Sequence, residues 1–212
     1  MSEESPRATL YYVHDPMCSW CWAFRPVWQE ILQRLPAGLV VRRLLGGLAP
    51  DSDEPMPESM QRYLQQTWHS ILQRVPGTRF NFDFWSRCRP RRSTYPACRA
   101  VIAARRQDPA SESGMIEAIQ EAYYLRALNP SDETVLTGLA GELGLDSARF
   151  GEDLVAAETQ QALLQEIGQA RALGGDSFPS LFLVRDGECR RLQHDYRDPE
   201  PLLRQVEGFI DG

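Results

Sequence analysis

The sequence predicts an α/β fold in which a βαβ unit and a ββα unit flank an all-helical block. Three observations carry this. Short apolar, β-rich runs occur only towards the two ends of the chain. Between them, apolar residues recur at helical spacing. Asp186-Gly187, set between the last two such runs, is a two-residue hairpin signal. The organisation that follows assigns residues 8–50 and 174–212 to the β-containing part and 51–173 to the helical block.

In chain order, Leu10–Val13 reads as a buried strand. From Ser19, the residues Trp20, Phe24, Val27, Trp28, Ile31 and Leu35 keep helical spacing until Pro36 and Gly38 end it. Pro26 falls inside this helix, where its missing N–H predicts a kink. Leu39–Leu45 is the second strand, stopped by Gly46-Gly47 and a Pro- and Asp-rich loop. Helical spacing resumes over Met60–Val75, from Pro96, and over Met115–Leu128, Val135–Leu143 and Phe150–Leu173, with Phe80–Trp85 as an aromatic connector. Gly174-Gly175 caps the last of these helices. Phe178–Val184 and Glu188–Gln193 form the closing hairpin, and Pro199 and Pro201 open an amphipathic terminal helix.

A net charge of −6 and a pI near 5.2 argue against a general nucleic-acid or anionic-membrane partner. All 23 basic residues are Arg, so a lysine Schiff-base mechanism is excluded. Met1–Arg7 lacks the charged and apolar regions of a leader, and no run is long enough to span a bilayer, so the expected location is the cytoplasm. Thiols there rest mostly reduced, and the odd count of five cysteines agrees with thiols that are not all paired.

The chemistry concentrates in Asp15-Pro16-Met17-Cys18-Ser19-Trp20-Cys21. A strand, a Pro-containing turn and a helix start place Cys18 at a helix N-terminus, where free N–H groups and the helix dipole favour an anion. The thiolate is the reactive form of cysteine. Cys21 follows one helical turn later, within reach of a mixed disulfide at Cys18. The same spacing is also half of a zinc site, but structural zinc needs a second pair, and Cys88, Cys98, Cys189 and the three scattered histidines supply none. The expectation is a dithiol/disulfide switch with no bound metal and no cofactor beyond the two sulfurs.

The order βαβ, helical block, ββα, with Cys-x-x-Cys opening the first helix, resembles the thioredoxin fold carrying a helical insertion, the layout of the DsbA family of thiol-disulfide oxidoreductases. The Asp-Pro-x-Cys-x-Trp-Cys opening is similar to the cytoplasmic, FrnE-like branch of predicted disulfide isomerases. Pro26, eight residues after Cys18, matches a thioredoxin proline. Ser177-Phe178-Pro179-Ser180 matches the cis-proline that enters the third strand opposite the dithiol. The resemblance implies that Phe178 offers backbone hydrogen bonds to an extended substrate and that Pro179 keeps an N–H away from the sulfurs.

Departures matter too. The family's buried carboxylate, six residues before the first cysteine, is replaced by Tyr12. Proton transfer to Cys21 then needs water, the Tyr12 hydroxyl, His14 or Asp15, although His14 reads first as a strand-end residue and only second as a base. Ser19-Trp20 between the cysteines lacks the His that strengthens oxidants of this fold, so a less oxidising couple than periplasmic DsbA is expected. Ser19 is also a natural helix cap, and Trp20, between the sulfurs, is a candidate substrate contact. Cys98 is implied to lie near the site under the insertion, with Cys88 as a possible partner, although both also read as buried thiols.

The implied activity is thiol-disulfide exchange on protein or small-molecule thiols and disulfides, with glutathione as a conceivable co-substrate. Two other readings stand beside it. Kappa-class glutathione transferases share the insertion but usually carry Ser at the nucleophile position, and some DsbA-like cytoplasmic proteins are non-catalytic adaptors. Substrate, redox direction and oligomeric state are not encoded legibly in one sequence.

Overall fold

The computed structural model describes residues 8–210. Its centre is a four-stranded sheet in the order β2-β1-β3-β4, built from β1 (Thr9–His14), β2 (Val40–Leu45), β3 (Ser180–Arg185) and β4 (Glu188–Leu192). β1 and β2 are parallel, with Leu10 opposite Val41 and His14 opposite Leu45. β3 runs antiparallel to β1, with Val13 opposite Ser180, and β4 antiparallel to β3. A parallel pair needs a crossover, and α1 (Ser19–Arg34) supplies it. Asp186 and Gly187, both at positive φ, make the predicted tight turn. The last helix, Glu200–Ile210, buries Leu202, Leu203, Val206 and Phe209 against one sheet face together with Phe24, Trp28 and Ile31. This is a thioredoxin-like α/β fold.

Seven helices occupy the chain between β2 and β3: α2 (Glu58–Arg74), α3 (Phe84–Arg87), α4 (Tyr95–Gln107), α5 (Ser111–Tyr124), α6 (Glu133–Glu142), α7 (Ser147–Val155) and α8 (Ala157–Ala172). Two differences from the sequence reading have local causes. The continuous periodicity of Phe150–Leu173 is cut at Ala156, which adopts an extended conformation (ψ 141°) between α7 and α8. No Pro or Gly marks that break. The aromatic connector contains the short turn α3, and its side chains enclose Trp68 with Tyr123 and Tyr124.

The insertion is fastened to the sheet where the dithiol sits. Met17, Trp22 and Leu45 belong to the same buried cluster as Trp68, Ala97, Cys98 and Tyr124. At the free edge of β2, Glu166 of α8 accepts from the Leu45 N–H at 2.9 Å and pairs with Arg105, and Glu112 bridges Arg105 to Arg43. A half-buried network of this kind blunts an edge strand that would otherwise offer unpaired donors.

Candidate active site

The turn from β1 into α1 is held by one carboxylate. Asp15 Oδ1 accepts from the Met17 N–H at 2.8 Å, the Asx turn favoured by Asp two residues ahead. The Cys18 N–H then donates to the Asp15 carbonyl at 3.0 Å. Asp15 Oδ2 accepts from the Leu48 N–H and the Thr94 hydroxyl, each at 2.7 Å, and from the Cys98 thiol at 3.5 Å. Burial raises this carboxyl, while these donors act in the opposite direction. Asp15 thus ties β1, the loop after β2 and α4 together directly beneath the dithiol.

Cys18 is the N-cap of α1, and its carbonyl takes the Trp22 N–H at 3.0 Å. Ser19 therefore does not cap the helix as expected. It is the first helical residue, and its hydroxyl accepts from Trp68 Nε1 at 3.0 Å because α2 of the insertion packs there. Tyr124 donates to the Met17 carbonyl at 2.7 Å, a second clamp from the insertion on the same turn.

The two sulfurs differ in environment. Cys18 is buried apart from 7% of its surface, with its Sγ 3.5 Å from the Phe178 carbonyl. The Phe178–Pro179 bond is cis, as the sequence implied, and its loop faces the dithiol. Cys21 is fully buried, and burial together with the adjacent Cys18 pushes its thiol well above the ordinary range. All five cysteines are free thiols. Tyr12 sits where the family carboxylate would, its hydroxyl against Cys21 and raised by burial. His14 stacks on Tyr12 at 5.0 Å, and burial reinforced by Arg43 and Arg105 lowers it to about 3, so it is neutral at pH 7.

Of the two tryptophans beside Cys21, Trp22 packs on Tyr124 and donates to the Arg79 carbonyl. Trp20 faces outward and lines a groove of about 350 Å³ with Phe178, Arg74, Val75, Tyr196 and Arg197. Cys98 lies behind the site through Asp15, whereas Cys88 donates to the Ala127 carbonyl at 3.2 Å. The two are bound to different partners rather than to each other.

Sequence reasoning missed several contributors. Gly46 is more than a strand stop: a Cβ there would lie 2.0 Å from the Phe178 ring, so this glycine makes room for the loop that meets Cys18. Thr94, Trp68 and Tyr124 are long-range partners with no local signal. Asp15 alone had one, the Asx-turn position.

A thioredoxin family model matches residues 11–192. A crystal structure of a proposed protein disulfide isomerase from Nitrosomonas europaea superposes with a TM-score of 0.83 at 28% identity, covering 97% of this chain and 98% of that one. The cytosolic disulfide reductase DsbM from Pseudomonas aeruginosa gives 0.77 at 25% identity, covering 96% and 98%, and has also been solved with GSH. Among curated proteins, the ClpXP adapter protein SpxH of Halalkalibacterium halodurans is 23% identical over 84% of this chain, and that of Bacillus subtilis 25% identical over 73%. The chain spans 58% and 50% of the length of these two relatives. With its helical insertion and its dithiol at the start of α1, the chain belongs to the thioredoxin family.

Proposed function

We propose that the protein is a cytoplasmic thiol-disulfide oxidoreductase in which Cys18 is the nucleophile and Cys21 the resolving thiol. The observation that carries this reading is the asymmetry of the pair: one sulfur at the N-cap of α1 beside the Phe178 carbonyl, the other fully buried one turn on. Cys18 thiolate attacks a substrate disulfide, one substrate sulfur leaves as a thiol, and a mixed disulfide forms. Cys21 then attacks Cys18, the second substrate sulfur leaves, and the Cys18–Cys21 disulfide remains. Oxidation of a dithiol substrate is the same path reversed. Reductase, oxidase and isomerase share these steps, and reduction potential and partner decide which is observed.

Glutathione fits as a co-substrate. The groove beside Trp20 and Phe178 carries Arg74 and Arg197, with one carboxylate, Asp195, also in the lining; the two cations are able to face the carboxylates of a small thiol peptide. The glutathione-bound DsbM structure supports the same choice. The test is a Cys21→Ser variant expressed in the native cell. Substrates and glutathione should remain disulfide-linked to Cys18, and an empty trap would overturn the assignment.

The SpxH relatives favour a second reading, a protein-delivery adaptor built on the same fold. Cys18→Ser separates the two: an adaptor keeps its cellular function, and an oxidoreductase loses it.

A further inference from the structure

The resolving step needs a proton acceptor that the cysteines themselves do not provide. Cys21 has no exposed surface, and position 12, the family's carboxylate position, holds a phenol. Behind both lies a cavity of about 140 Å³. Cys21, Tyr12 and His14 line it, together with Ser113, Glu117 and Gln120 of α5. Four buried polar atoms on its lining residues have no hydrogen-bond partner among the described residues: His14 Nε2, Gln120 Oε1, Arg25 Nη1 and Trp28 Nε1. His14 is 1% exposed and Gln120 3%. Native folds rarely leave such groups unpaired, and still more rarely four around one cavity that also holds a reactive thiol. At about 30 Å³ per molecule, the volume suits roughly five waters, each needing two to four polar partners.

We propose that this cavity is a hydrated proton route to Cys21, in which His14, Gln120 and Arg25 are positioning residues for the water that takes the thiol proton. The inference rests on the reading of Cys21 as the resolving thiol. The proton of Cys21 passes to the adjacent water and outwards along the chain. The Cys21 sulfur attacks Cys18 Sγ, and the Cys18–Cys21 bond forms as the bond to the substrate sulfur breaks. The electron pair leaves on that sulfur, which takes up a proton from solvent. One proton leaves and one is taken up, so the step is balanced without a further reactant.

The surroundings suit a route of water rather than a fixed base. A neutral imidazole offers one donor and one acceptor, so His14 holds a water in either tautomer. Arg43 of β2 and Arg105 of α4 face it from one side, each bound by Glu112, with Glu166 also on Arg105. From α1 and α5, Arg25 pairs with Glu121 at 3.3 Å, and Glu117 accepts from the exposed Gln29 at 2.9 Å. Tyr12 and Cys21 line the cavity as well, and the buried Asp15 and Cys18 lie against Cys21 from the turn before α1.

The experiment uses 5,5′-dithiobis(2-nitrobenzoate) with the reduced protein in a Cys88→Ser, Cys189→Ser background, followed by stopped flow from pH 6 to 9. Attack by Cys18 releases one thionitrobenzoate, and resolution by Cys21 releases the second. Gln120→Leu removes the acceptor, and Ser113→Trp plugs the cavity from its exposed rim on α5 without touching either sulfur. Each is expected to leave the first phase unchanged and to slow the second at least ~10-fold at pH 7, the low end of what positioned proton transfer supplies. The slowed phase should also carry a larger solvent deuterium isotope effect than the parent's, a change that a packing defect would not produce. A second phase at the wild-type rate and isotope effect in both variants overturns the route. Loss of the first phase in the parent protein would instead overturn the assignment of Cys18 as nucleophile.

Discussion

Replacing Gly46 by alanine tests whether the cis-proline loop is held against the dithiol by close packing. The added Cβ would lie 2.0 Å from Phe178 Cε1, 2.3 Å from Cζ and 2.8 Å from Cδ1. Carbon atoms in contact sit about 3.5–4.0 Å apart, so the ring must retreat by roughly 1.5 Å or more. Phe178 packs with Tyr11, Val13, Leu44 and Phe182, and any retreat disturbs that cluster. Overpacking of this kind costs about 1–3 kcal/mol, which for a chain of this size lowers Tm by about 2–4 °C per kcal/mol. The backbone consequence is larger for chemistry. The Phe178 carbonyl is 3.5 Å from Cys18 Sγ, and a displacement near 1 Å at a reacting centre costs on the order of 10²-fold in rate. Thermal unfolding of the reduced protein and turnover of a disulfide substrate read the two effects. Adding Phe178→Ala to Gly46→Ala removes the clash, so the pair should couple favourably by about 1 kcal/mol or more. Stability losses that simply add to within about 0.5 kcal/mol would refute the reasoning.

Two further perturbations probe the support beneath the dithiol. Asp15→Asn keeps the shape but turns one acceptor into a donor, so either the Met17 N–H or the Leu48 N–H and Thr94 hydroxyl lose their partner. The expected loss is about 1–3 kcal/mol in chemical denaturation, with slower alkylation of Cys18; an unchanged midpoint would remove Asp15 from its anchoring role. The second concerns acid. His14 is lowered from 6.5 to about 3 in the fold, so below pH 6.5 the unfolded chain binds a proton that the folded chain refuses. Stability should therefore be full above pH 6.5 and fall, by up to about 1.4 kcal/mol per pH unit, as pH drops towards about 3. His194, half-buried against Phe24 and Tyr196, is shifted in the same direction and adds to the slope. Urea midpoints of His14→Phe should lose most of this dependence, and an equally steep fall in that variant would assign it elsewhere.

The order of strands and helices was legible because it rests on local physics. The period of the apolar residues, the Asp186-Gly187 turn and the glycines that close helices are all properties of neighbouring residues. The Cys18–Cys21 pair and the cis peptide before Pro179 were legible from a motif and a resemblance. What could not be read was whatever depends on the insertion meeting the turn. Ser19 looked like a cap because a serine beside a helix start usually is one; its hydroxyl is instead taken by Trp68, 49 residues away. Ala156 breaks a helix without any breaker residue.

The same distinction explains why Tyr12 was a puzzle in the sequence and is less of one in the fold. A carboxylate at that position would share a fully buried space with Cys21, stacked on His14 and packed on Trp28. A phenol tolerates that burial as a neutral group, whereas a carboxylate would be driven to protonate. Losing the carboxylate removes a local base, and the polar atoms left unpaired around the adjoining cavity come from β1, α1 and α5, three elements that no single stretch of sequence contains. On the proposed route, the acceptor for the resolving proton is therefore a product of tertiary packing rather than of the Cys-x-x-Cys motif.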